Sequence, residues 1–94
     1  MKEKEICCFN RIYSALEGLQ EAHTLAYRAL AVGEGVVLEM GEKYDGWEDG
    51  KTVFCPGLPE ERAGTLLRWF YENGADPDQC LDLLQDLREP FERL

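Results

Sequence analysis

Residues 9–32, FNRIYSALEGLQEAHTLAYRALAV, decide how the rest of the chain is read. Within them Ile12, Leu16, Leu19, His23, Ala26 and Leu30 recur at steps of four and three, the spacing of one helix face. Ala15, Ala22, Ala26 and Ala29 widen that face with small side chains. Asn10, Ser14, Glu17, Glu21, Thr24 and Arg28 fall opposite. The pattern predicts a long helix from about Phe9 to Val32. Gly18 lies near its polar side at a cost of about 1 kcal/mol relative to Ala, and Gly33 and Gly35 supply its stop.

Beyond this segment the period changes. Val36, Leu38 and Met40 alternate with Val37, Glu39 and Gly41, as a strand requires. Thr52-Val53-Phe54-Cys55 is β-prone and stops at Pro56-Gly57. Asp45-Gly46 and Asp49-Gly50 are turn dipeptides, so the expected unit is a hairpin with a long or doubly turned acidic connection. Two strands alone are marginal in water, so helices must cover one face or another chain must extend the sheet.

The last third predicts two helices. Pro59 suits a first turn, and Glu60 and Glu61 follow at the positive end of the dipole. Ala63, Leu66, Leu67 and Phe70 form a buried face, and Asn73-Gly74 supplies a left-handed stop. Asp76-Pro77-Asp78-Gln79 reads as a capping box that opens the next helix. Cys80, Leu84, Leu87, Phe91 and Leu94 step through that helix, which Pro90 ends or kinks near Glu89. The stretch Tyr71–Asp78 resembles the helix-to-turn junction of ankyrin repeats. The opening Thr-Pro-Leu-His motif is missing, however, and no second copy follows at a period of about 33 residues, so the likeness is one of turn chemistry. The expected fold is one α+β domain over residues 1–94: a long N-terminal helix, an acidic β-hairpin and a C-terminal helical hairpin (α-β-β-α-α).

Charge is segregated along this chain of net charge −9. Residues 1–33 net zero and residues 51–71 net +1, whereas 34–50 and 72–94 each net −5. Such a field steers partners of opposite sign. It argues against direct binding to nucleic acid or anionic membrane, which need clustered Lys or Arg. The first residues carry charges of both signs and no apolar run of signal length, and no stretch approaches a membrane span. The expected compartment is the cytosol, with Cys7, Cys8, Cys55 and Cys80 as free thiols.

Chemistry-bearing patterns are sparse. Adjacent Cys7 and Cys8 would point apart on a helix, and Cys55, Cys80 and His23 are isolated, so no zinc spacing exists. Asp45, Asp49 and Gly50 fit part of a calcium loop, but Trp47 and Pro56 occupy ligand positions. No metal or other cofactor is expected. His23, the only His, and Cys55 lack neighbours that would make a base or a nucleophile. Gly33-Glu34-Gly35 carries an acid where a phosphate loop needs none.

The remaining signal is acidic. Asp78, Asp82, Asp86 and Glu89 fall within roughly 80° of one another on a helix, about 6 Å apart along its axis, a spacing similar to that of phosphates along a nucleic-acid strand. Asp45, Glu48 and Asp49 lie beside Tyr44, Trp47 and Phe54, and Trp and Tyr next to polar residues are typical interface anchors. The expected function is therefore binding without catalysis. The chain would be an inhibitor or adaptor that docks Asp45, Trp47, Glu48, Asp49, Asp78, Asp82, Asp86 and Glu89 on a basic protein surface, such as that of a nucleic-acid-binding protein. Small acidic nuclease inhibitors such as phage anti-defence proteins are similar in size and charge. The alternative is a homo-oligomer holding a small ligand near Tyr13, His23 and Tyr27, and an enzyme using Cys55 or His23 comes third. Small size and exposed sheet edges also predict a homodimer.

Overall fold

The structure is a computed structural model that describes residues 4–14, 16, 18, 22–44 and 47–94, with only the backbone of Trp47 included. It overturns the expected N-terminal helix. The chain is mostly sheet: β1 (Lys4–Tyr13), β2 (His23–Val32), β3 (Gly35–Tyr44), β4 (Trp47–Pro56), α1 (Glu60–Asn73), α2 (Pro77–Asp86) and β5 (Glu92–Arg93). The five strands form one antiparallel sheet in sequential order.

The segment read as a helix contributes β1 from Phe9 to Tyr13 and β2 from His23 to Val32, while residues 15, 17 and 19–21 of that reading lie outside the described residues. Gly18 has φ 75°, a left-handed conformation that belongs to a turn and not to a helix interior. His23, Leu25, Tyr27, Ala29 and Ala31 share one face of β2 and pair with Tyr44, Glu42, Met40, Leu38 and Val36 of β3. Ile12 and Leu16, assigned to a buried helix face, are 78% and 51% exposed. Alanine favours helix only weakly as a local preference, and pairing on both sides of β2 outweighs it.

Gly33 stops no helix. It turns β2 into β3 with φ 58°, while Glu34 keeps a negative φ, the pattern of a tight II′ hairpin. The second hairpin is longer than its sequence suggests. β3 and β4 stay paired out to Tyr44 and Trp47, so only residues 45 and 46 connect them, and Asp49-Gly50 lies inside β4 opposite Glu42 and Gly41.

Both helices pack on one face of the sheet. Tyr27, Ala29, Val36, Leu38, Met40, Val53 and Cys55 meet Ala63, Leu67, Phe70, Cys80, Leu81 and Leu84 in a single core. The helical third follows its sequence closely. Gly74 closes α1 at φ 59°, and Asp76 and Gln79 form the reciprocal capping box of α2. The end of α2 does not follow it. The helix stops at Asp86, before Pro90, with Arg88 at φ 57°. The Arg88 and Glu89 N–H groups donate to Gln85 and Leu84 carbonyls, a Schellman closure. Leu87 is therefore exposed, and Glu92–Arg93 adds a short strand beside Val53 and Phe54.

Candidate functional site

The turn between the helices is tied to the sheet by two side chains. Arg11 Nη1 donates to the Tyr71 and Glu72 carbonyls at 3.0 and 3.2 Å, placing a cation at the negative end of α1. The buried Tyr27 hydroxyl donates to the Ala75 carbonyl at 2.6 Å. A Cβ at Gly74 would meet the Tyr13 hydroxyl, so this position needs glycine for space as well as for φ. These hydrogen bonds anchor the α1–α2 turn to β1 and β2.

Between the two helices runs an open groove of about 260 Å³, lined by Trp69, Asn73, Ala75, Gln79, Asp82 and Leu83. Trp69, Ala75 and Leu83 give it an apolar floor. Asn73 is held by its amide donating to the Trp69 carbonyl, and the Gln79 side chain by accepting from the Asp76 N–H in the capping box. Asp82 is the one acidic side chain in this lining. Its neighbours Asp78 and Asp86 are also exposed on α2, so three members of the expected stripe share the solvent face beside the groove.

Glu89 does not belong with them. It lies past the end of α2, and its carboxylate is held at 3.2 Å by both Nε and Nη2 of Arg62. Asp45 and the Trp47 side chain lie outside the described residues. Glu48 pairs with Lys43 on the face away from the helices, whereas Asp49 faces the helix side opposite Glu42 and contacts Lys51 at 3.7 Å. The expected acidic surface is thus divided, with its continuous part on α2. The groove itself was beyond the sequence, because it depends on how two helices sit side by side. Trp69, on the flank of the α1 apolar face, was its only trace.

The other candidates have structural surroundings. His23 is sandwiched between Tyr13 and Tyr44, with ring centroids 4.4 and 4.8 Å away. Tyr27 is buried and committed to Ala75, so it offers no hydroxyl to a ligand. Burial pushes the Cys55 thiol up to about 11, with Glu89 adding to it, and burial with Asp76 nearby pushes Cys80 up to about 12. Neither forms thiolate readily at neutral pH. All four cysteines are free. Among the described residues no three His, Cys, Asp or Glu side chains converge as metal ligands, and no helix is long and apolar enough to cross a membrane.

No family model, curated protein or solved structure matches the chain.

Proposed function

We propose that the chain is a non-enzymatic, cytosolic interaction module that docks α2 and the α1–α2 groove on a basic protein surface, as an inhibitor or adaptor would. The observation that carries this reading is the position of Asp82 at an apolar groove floored by Trp69 and Leu83. A Lys or Arg can lay its aliphatic stem along such a floor while its charge meets the carboxylate and the indole face. Asp78 and Asp86 extend the negative field on the same helix face and favour fast encounter with a cationic partner.

A Lys- and Arg-rich amphipathic helical peptide serves as the probe, followed by tryptophan fluorescence with Trp69→Phe as the control that identifies the reporting ring. The expected result is binding that weakens steeply with salt. The double reversal Asp82→Lys/Asp86→Lys leaves the melting temperature nearly unchanged and weakens binding by about tenfold or more. Equal affinity after this reversal rejects the reading and returns the stripe to a solvated face.

A further inference from the structure

Among the described residues the longest uncovered edge of the sheet is that of β1. β5 and the Leu94 N–H, which donates to the Thr52 carbonyl, cover part of β4. β1 ends the strand order on the other side, so among the described residues its outward backbone groups have no strand partner. The extra residue Ile6 disturbs the pairing of β1 with β2, but Cys7–Tyr13 continue in unbroken register. Seven residues at about 3.3 Å each offer roughly 23 Å of regular edge.

Beside this edge lies a groove of about 410 Å³, with Cys8, Phe9 and Asn10 of β1 on one wall and Arg68, Tyr71 and Glu72 of α1 on the other. Phe9 and Tyr71 stack in it with centroids 5.4 Å apart. Two features select what can dock there. The first is charge. β1 and β2 lie in the neutral segment 1–33, and the acidic excess belongs to the β3–β4 hairpin and to residues 72–94, of which α2 and β5 pack with β3 and β4. Two copies of a chain of net charge −9 can approach through this neutral side alone without bringing their acidic halves together. The second is symmetry. Arg68 and Glu72, paired at 2.9 Å, sit above Phe9 with opposite signs. A two-fold axis near Phe9 brings Arg68 of each copy to Glu72 of the other, the reciprocal contact that an isologous interface requires.

We propose that the β1 edge is a dimer seam, at which β1 pairs antiparallel with β1 of a second copy about a two-fold axis near Phe9. Cys8 then faces Asn10 of the other copy, and Cys7 faces Arg11. The two sheets become one, the two α1 helices flank the seam, and the acidic surfaces of α2 point to opposite ends. This inference does not rest on what those surfaces bind.

Light scattering tests it. The expected mass is twice the chain's 10.8 kDa at micromolar concentration. Arg68 and Glu72 side chains are 73% and 56% exposed, so their exchange leaves the fold intact. Arg68→Glu sets like charges across the axis and weakens the dimer by about tenfold or more. Arg68→Glu/Glu72→Arg restores it. Amide exchange over Cys7–Tyr13 slows as concentration rises. A single-chain mass at every concentration overturns the proposal, including the case in which the edge receives a foreign extended peptide. A dimer that Arg68→Glu leaves intact, or one whose β1 amides stay unprotected, overturns it equally.

Discussion

On the face that α1 and α2 cover, Tyr27, Leu38, Met40 and Val53 are exposed by 1% or less. One residue along each strand, on the opposite face, stand Arg28, Glu39, Gly41 and Thr52. Arg28 there pairs with Glu5 and Glu39 at 3.1 and 3.5 Å, in contact with solvent. The alternation of strand side chains thus writes two surfaces into one stretch of chain. Stability is concentrated on the covered side, because apolar burial outweighs solvated ion pairs. The bare side is not wholly polar. Leu30, Val37 and Phe54 form one cross-strand row on it, and Leu30 is 6% exposed. Phe54 lies over Gly35, where a Cβ would come within 2.6 Å of its ring.

The hardest way to break this comparison is to empty the covered face. Leu38→Ala is expected to cost about 2–5 kcal/mol in a urea melt, since Leu38 is fully buried between β3 and the helices. Arg28→Ala on the bare face is expected to cost about 1 kcal/mol or less. Equal costs would mean that the bare face is also covered, by another chain.

Alkali sharpens the same contrast. Tyr27, Cys55 and Cys80 all sit between sheet and helices, and burial raises each of them. Above a thiol's ordinary value of 9.0 the unfolded chain gives up these protons while the folded chain keeps them. Stability is therefore present below about pH 9 and is lost as pH rises toward the folded values of about 11 and 12. The expected loss by about pH 11 is on the order of 2–3 kcal/mol for each thiol. Thermal melts across that range check it, and Cys55→Ala/Cys80→Ala should flatten the slope. A melting temperature that holds constant through the range would show that these thiols are not sealed from water.

The covered face also separates what the sequence made legible from what it hid. The helices were legible because their signals are local. The Asp76–Gln79 box and the Gly74 stop each work within one turn of chain. β3 was legible because its face toward the helices carries Val36, Leu38 and Met40, while Glu39 breaks the other. β2 hid its alternation because Ala26 and Leu30 put apolar side chains on the bare face as well, and the resulting run fits a helix wheel. Gly18 was the missed turn signal. The acidic face of α2 was readable once that helix was placed, but the groove beside it required the packing of α1 against α2. Glu89 was misassigned because α2 ends at Asp86, before Pro90 is reached.

That early stop gives the smallest prediction. Both helices close with the same pair of backbone hydrogen bonds, and in both the residue after the last turn adopts positive φ. In α1 it is Gly74 at 59°, and in α2 it is Arg88 at 57°. A side chain with a Cβ is strained there, by roughly 1 kcal/mol or more, whereas glycine is not. Arg88→Gly should remove that strain, against which stands the larger entropy that glycine loses on folding. Among the described residues Arg88 forms no ion pair, and Arg62 already holds Glu89. The net expectation is a gain of about 0.5–1 kcal/mol, read as a small rise in melting temperature with an unchanged denaturant slope. The matching change in α1, Gly74→Ala, should go the other way and further, because its Cβ meets the Tyr13 hydroxyl as well as the strained φ. If Arg88→Gly destabilises instead, the arginine side chain contributes more to the α2 terminus than its backbone strain takes away, and the two helix ends are not equivalent closures.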